Sequence, residues 1–188
     1  MSEELDLQGW FDYRDLYALV ALNDSFTKYA EVGVWKGLSI CQLCFFLMNT
    51  KKEFELYAID HWEGSSSEDD TTNIEAKEKD IYSIYDNNMK IMGTREYIKD
   101  IKGDSSASAS CFQDEYLDFV FIDADHEYEN VKNDIESWYP KVRSGGIIGG
   151  HDLGTFSGVS RAVFPFFTKK KLTIHQAGIN GTSWYVHK

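Results

Sequence analysis

Leu117-Asp118-Phe119-Val120-Phe121-Ile122-Asp123 is the stretch on which the fold turns. Its centre is apolar at consecutive positions, the pattern of a strand buried on both faces, as in a parallel sheet covered by helices on each side. It closes on an acid, which stops the strand and leaves a carboxylate at its tip.

The same pattern repeats outward from this strand. Upstream, the sequence predicts a helix over 5–23, a strand over 29–34, a helix over 38–48 and a strand over 54–60 that again stops at an acid. Residues 64–72 are polar and turn-rich, which predicts a surface loop. A polar helix follows over 74–92, with Tyr82, Tyr85 and Met89 spaced for one face, then a strand over 97–102 and a short Ser/Ala-rich helix. Downstream lie a helix over 128–138, a turn at 143–146, a strand over 146–150 leading to His151 and Asp152, and a helix over 159–167. Two closing strands, near 172–176 and 183–187, are a short loop apart, which predicts an antiparallel end to the sheet. Seven strands alternating with helices give a doubly wound, mostly parallel α/β sheet with an antiparallel C-terminal hairpin. Residues 1–188 then form one domain, with an N-terminal helical segment over 1–25 and a variable insertion over 64–92. Ligands of such sheets bind at the carboxyl ends of the strands, near the switch point. Glu31, Asp60, Asp104, Asp123, His151 and Asp152 gather there.

Composition narrows the function. Of 188 residues, 43% are apolar and 27% charged, which suits a globular protein with a sizeable core. A net charge of −12 repels phosphate backbones and anionic lipid, so neither nucleic acid nor a membrane surface is an expected partner. The first residues carry neither a basic region nor an apolar run, and no apolar stretch approaches the roughly 20 residues of a spanning helix, so a cytoplasmic location is expected.

Three cysteines form no disulfide framework. Cys41-Gln42-Leu43-Cys44 spells C-x-x-C but sits inside a mostly apolar helical run, where cysteine acts as a small buried hydrophobe rather than a redox centre. The basic run Lys169-Lys170-Lys171 reads as a solvated turn.

Glu31-Val32-Gly33-Val34-Trp35-Lys36-Gly37-Leu38-Ser39 joins the first strand to its helix, with Gly33 for the tight turn and Gly37 for close backbone approach. It has neither the G-x-G-x-x-G spacing of a dinucleotide loop nor the Gly-Lys-Ser/Thr of a P-loop. Together with Ile59-Asp60-His61-Trp62-Glu63-Gly64, Lys102-Gly103-Asp104-Ser105, the run from Asp118 to Tyr128, and His151-Asp152, it resembles the motif series of class I S-adenosylmethionine-dependent methyltransferases, particularly the small bacterial branch related to sugar and catechol O-methyltransferases. The resemblance covers 29–152.

It implies a Rossmann-like methyltransferase fold and S-adenosylmethionine as cofactor. The implied contacts are Glu31, Gly33, Val34, Trp35, Gly37 and Ser39 around the methionine moiety, Asp60, His61 and Trp62 near the ribose, Asp104 and Ser105 at the adenine edge, and Asp123. Asp60 is expected to accept two hydrogen bonds from ribose hydroxyls. Trp35 and Trp62 are open to two readings, contact with the sulfonium or ordinary packing.

Methyl transfer is an in-line displacement, so the protein chiefly aligns donor and acceptor. A hydroxyl acceptor must also lose its proton. Asp125, His126 and His151 are the candidate bases. Related O-methyltransferases use a divalent metal, Mg²⁺ or Mn²⁺, and the matching positions here are Asp123, His151 and Asp152. A histidine among them departs from the all-oxygen preference of Mg²⁺ and leaves open a softer metal or a metal-free base. The expected partner is a small-molecule acceptor of the sugar or polyketide kind, and a homo-oligomer stays open. The competing readings are a cofactor-binding module or partner subunit without turnover and, disfavoured by glycine spacing, a nicotinamide-dependent oxidoreductase.

Overall fold

The computed structural model describes residues 4–64 and 71–188. Seven strands form one sheet: β1 Lys28–Val32, β2 Glu55–Asp60, β3 Ile98–Lys102, β4 Leu117–Ile122, β5 Val142–Gly150, β6 His175–Ala177 and β7 Ser183–His187. Their order is β3-β2-β1-β4-β5-β7-β6. The first five pair in parallel, and β7 runs antiparallel between β5 and β6. This is the doubly wound sheet with an antiparallel end that the sequence predicts.

All six residues of β4 are buried, and their alternation builds both halves of the core. Phe119 and Phe121 face the side covered by α1 (Arg14–Ala21), α2 (Leu38–Thr50), α3 (Thr71–Glu78) and α4 (Ile81–Ile91). Val120 and Ile122 face the side of α5 (Ser105–Ser108), α6 (Tyr128–Trp138) and α7 (Ser157–Lys169). Each such side chain contributes about 1.5–3 kcal/mol of transfer free energy, so this central strand anchors both layers. Neighbours β1 and β4 send their chains to opposite sides of the sheet, β1 to β2 and β4 to β5. The loops after them therefore diverge and open a crevice at the carboxyl end.

Several boundaries differ from the sequence reading. The helix expected over 5–23 is helical only from Arg14 to Ala21, and 4–13 run as an irregular strap. Gly9 weakens the helix, and tertiary hydrogen bonds at Asp6 and Asp12 hold the segment extended instead. The helix expected over 74–92 breaks into α3 and α4, because Asp80 caps α4 by accepting from the Ser83 amide at 3.1 Å and hydroxyl at 2.7 Å. Strand β5 begins at Val142, four residues early, with a register shift opposite 117–119. The strand expected over 172–176 shrinks to β6. Apart from its end at Gly64 and the first two residues of α3, the polar loop over 64–72 lies outside the described residues. Among the described residues no helix is long and apolar enough to cross a membrane.

Candidate active site

A cleft of about 1040 Å³ opens at the carboxyl end of the sheet. The loops after β1 to β5 line it, and Gln8, Gly9 and Trp10 of the strap close one side. Three non-glycine residues around it, Trp35, Trp62 and Asp152, have φ of 48°, 58° and 63°. Such left-handed backbone concentrates at sites where geometry is held against local preference.

The loop after β1 is pinned from two directions. Gly33 has φ 84°, and a Cβ there would lie 2.1 Å from the Asp123 carbonyl oxygen, so only glycine lets the β1 and β4 loops touch. Asp60, at the tip of β2, accepts the amides of Val34 and Trp35 through Oδ2, both at 2.9 Å, and that of Trp62 through Oδ1 at 2.7 Å. Glu31 lies below the cleft, fully buried, accepting from Tyr17 at 2.7 Å and from the Ser39 hydroxyl. Burial pushes it up to about 8, against the pull of those two hydrogen bonds.

At the β3 end the lining is mostly hydroxyl and amide. Asp104 caps α5, accepting the Ala107 amide and the Ser106 hydroxyl, both at 2.9 Å. Ser105 donates its hydroxyl to Asp134 of α6, and Trp138 of the same helix donates to the Ser105 carbonyl at 3.0 Å. Burial pushes Asp134 up to about 7, with the Ser105 hydrogen bond opposing.

The β4 and β5 end is a cluster of acids and imidazoles. His126 Nε2 lies 2.9 Å and His151 Nδ1 3.2 Å from Asp152 Oδ2. The other His151 nitrogen, Nε2, is 3.2 Å from both Asp12 and the Thr182 hydroxyl. Phe156 stacks on His126, ring centroids 4.1 Å apart and planes 10° from parallel. Burial works against the charged form of both histidines, yet Asp152 and the acids around it raise them, His151 to about 9. Asp152 is held well below the carboxylate range: burial opposes this, and its hydrogen bonds to His126 and His151 outweigh it. Asp123, half-buried in the cleft wall, is pushed up to about 6, chiefly by burial. Donor atoms of Asp123, His126 and Asp152 all lie within 4.8 Å of one another.

Residues 30–153 match a family model described as a methyltransferase domain. The chain belongs to that family. No curated protein sequence matches it. Among solved structures, the O-methyltransferase NovP superposes with a TM-score of 0.70 at 15% identity, covering 93% of this chain and 78% of that one. The SAH-bound methyltransferase PaMTH1 of Podospora anserina gives 0.67 at 11% identity, with 93% and 76% covered. CalS11, a TDP-rhamnose 3'-O-methyltransferase of calicheamicin biosynthesis, gives 0.60 at 13%, again with 93% and 76% covered. These likenesses show that the chain shares the fold of those methyltransferase structures.

Within this methyltransferase domain, Gly33, Val34, Trp35, Ser39, Asp60, His61, Asp104, Ser105, Asp123, Asp125, His126, His151 and Asp152 all line one cleft. Three expected contacts do not. Glu31 sits beneath Ser39. Gly37, at φ 91°, faces α4, where a Cβ would meet Met89 and Tyr85. Trp62 is 4% exposed, packs on Tyr82 and Tyr85, and donates to the Trp35 carbonyl at 2.9 Å. Asp60 also differs from expectation: three backbone amides occupy most of the roughly four acceptor positions of a carboxylate, leaving about one for a ribose hydroxyl. In the compact O/N/O group His126 takes the place assigned to His151, whose two nitrogens are engaged by protein groups.

Sequence reading missed Trp10, Asp12, Lys36 and Asp134. Asp134 had a signal, an acid on the helical face of Val131, Ile135 and Trp138. Asp12 and Trp10 had none, because their placement depends on a strap that local pattern describes as helix.

Proposed function

We propose that this methyltransferase domain is a small-molecule O-methyltransferase of the branch related to sugar and catechol enzymes, transferring methyl from S-adenosylmethionine to a hydroxyl. The observation that carries this reading is the asymmetry of the cleft. Its β3 end offers the hydroxyls of Ser105 and Ser106, backed by Asp104 and Asp134, a lining suited to a nucleobase. Its β4–β5 end holds Asp123, Asp125, His126, His151 and Asp152, groups able to take a proton from an acceptor. In the sheet order β3 and β5 are four strand spacings apart, about 19 Å, room for a nucleoside with an amino-acid tail.

The residues fit the cofactor. Gly33 admits close backbone approach, and Asp60 stiffens the loop and keeps about one acceptor position toward the ribose. Ser39 donates its hydroxyl hydrogen bond to Glu31, so its lone pairs are acceptors suited to the ammonium of the tail. When bound, S-adenosylmethionine supplies a methyl carbon already activated by the sulfonium.

The donor set of Asp123, His126 and Asp152 fits a divalent transition metal such as Mn²⁺ better than Mg²⁺, because one donor is nitrogen. Such an ion would lower the pKa of a hydroxyl beside it. A metal-free reading has its own support in the 2.9 Å contact of His126 with Asp152. A neutral His126 donating Nε2–H to Asp152 keeps Nδ1 as the acceptor for the proton, and Phe156 holds the ring plane. In either case His151 orients Asp152, and Asp125, whose Oδ1 accepts the Glu127 amide at 2.7 Å, stands next to the site as a further base.

Calorimetry with S-adenosylhomocysteine, followed by turnover on a panel of hydroxylated acceptors with Mn²⁺ or EDTA, tests the reading. Saturable cofactor binding and transfer to a hydroxyl support it. Absence of binding defeats it, binding without transfer to any acceptor favours the cofactor-binding module, and EDTA-insensitive turnover favours the histidine base.

A further inference from the structure

Asp134 is an acid in the wrong place for packing. It is 1% exposed on α6, within the apolar stripe of Val131, Ile135 and Trp138 that holds the helix to the sheet. Burying a carboxyl there costs free energy that an apolar residue would not, so its hydrogen bonds must do something the stripe alone cannot. Its Oδ1 accepts the Ser105 hydroxyl, while Oδ2 has no hydrogen-bond partner among the described residues. Both Asp134 and Ser105 line the β3 end of the cleft. Trp138, one helical turn on, holds the Ser105 carbonyl, so α6 grips this residue at side chain and backbone together.

The grip sets the polarity of the hydroxyl. An ionised carboxylate only accepts, so Ser105 must spend its single O–H on Asp134 and can present only lone pairs to the cleft. Neighbouring Asp104 does not hold the Ser105 hydroxyl: it caps α5 through Oδ1, which accepts the Ala107 amide and the Ser106 hydroxyl.

We propose that Asp134 is a specificity-determining residue for the cofactor's base: acting through Ser105, it fixes an acceptor at the base-binding end and thereby selects a purine with an amino group at C6 over one with a carbonyl there. This rests on the reading that the cleft binds S-adenosylmethionine with its base at the β3 end. A 6-amino group donates to the fixed hydroxyl. A 6-carbonyl faces lone pair against lone pair, or requires the hydroxyl to leave Asp134 with both oxygens buried and unpaired.

The test is calorimetric titration of S-adenosylhomocysteine and its 6-keto analogue, S-inosylhomocysteine, into the wild-type protein, Asp134→Asn and Ser105→Ala. A pH of 8.5 lies above the value of about 7 to which burial raises Asp134, so the carboxylate is ionised. Wild type is expected to prefer the amino form about tenfold, the worth of one hydrogen bond. In Asp134→Asn the amide can donate, the hydroxyl is free to turn, and the preference falls to within about twofold. Ser105→Ala, which leaves α6 intact, loses it as well and keeps the question answerable should Asp134→Asn fail to fold. Equal wild-type affinities for the two ligands would overturn the proposal. So would a variant that weakens both ligands alike while keeping the ratio, the mark of a merely structural role. Wild type binding neither ligand would instead defeat the cofactor reading on which the proposal stands.

Discussion

His126 Nε2 lies 2.9 Å from Asp152 Oδ2 while its ring stacks on Phe156, so the imidazole is fixed in both direction and plane. Asp152 is held by His151 as well, and His151 by Asp12. On the proposed function the two histidines play unequal roles: His126 meets the acceptor, and His151, engaged at both nitrogens, orients Asp152. His126→Ala is expected to lower kcat about 10²–10⁴-fold, the usual loss for an acid–base group, and His151→Ala by less. Dissociation constants for S-adenosylhomocysteine should stay within about threefold in both, since neither residue lies at the base-binding end. Steady-state kinetics paired with calorimetry separate the effects, and a His126→Ala protein that kept wild-type turnover would remove the residue from the chemistry.

Asp60 works on the protein before it works on a ligand. Three amides, those of Val34, Trp35 and Trp62, converge on its carboxylate, and the first two shape the loop after β1. Asp60→Asn replaces one acceptor oxygen by a donor and so sets an NH₂ against backbone N–H. It is expected to lose cofactor affinity about as fully as Asp60→Ala, with a stability loss of about 1–3 kcal/mol in each. If asparagine instead preserved affinity, the carboxylate would be acting on the ligand alone. Calorimetry and urea denaturation read the two quantities.

Legibility followed the range of the interactions. The alternation of Phe119 and Phe121 against Val120 and Ile122, the glycines of the β1 loop and the acids ending β2 and β4 are local signals, and they located the sheet, its switch point and most of the cleft. The helix predicted over 5–23 rests on Trp10, Leu16, Tyr17, Val20 and Leu22, of which only Trp10 lies in the strap over 4–13, so the periodicity carries little information about that segment. Its true conformation depends on Asn88 and Lys36 at one end and on His151 at the other, partners too distant in sequence for any window to contain. Asp60 is legible as the tip of β2 because that position is local, whereas two of its three amide partners, Val34 and Trp35, come from another loop.

Lys36 is the knot that ties the strap down. It is 1% exposed, and its ammonium reaches Asp6 at 2.8 Å, Gln8 at 3.0 Å and Glu75 of α3 at 2.8 Å. Asn88 joins the same knot, donating to the carbonyls of Asp6 and Lys36 at 2.6 and 2.9 Å. Lys36→Met fills similar volume without the charge. It is expected to destabilise the protein by about 1–3 kcal/mol, less than for a fully buried pair because Asp6 is partly exposed and Glu75 keeps Lys79. Amide hydrogen exchange should rise across residues 6–10 while β4, held by its own ladder, stays protected. Unchanged exchange in that segment would mean the strap is held from Asp12 alone.

Glu31 carries a pH signature that can be worked out in sign. Burial raises its folded pKa to about 8, against an ordinary glutamate near 4.3 in the unfolded chain. Between those values the folded protein holds a proton that the unfolded chain has released, so unfolding releases a proton and stability falls as pH rises. The stabilisation is complete below about pH 4 and is lost as pH climbs through about 8. Across pH 5.5 to 7.5 the slope approaches 1.4 kcal/mol per unit, a loss of the order of 2 kcal/mol from this group. Glu31→Gln keeps the shape and an acceptor for Ser39 or Tyr17 but cannot titrate. Urea denaturation at the two pH values should show the wild type losing stability relative to the variant as pH rises. Parallel curves would mean that Glu31 is already ionised in the folded state, its charge carried by the Ser39 and Tyr17 hydroxyls.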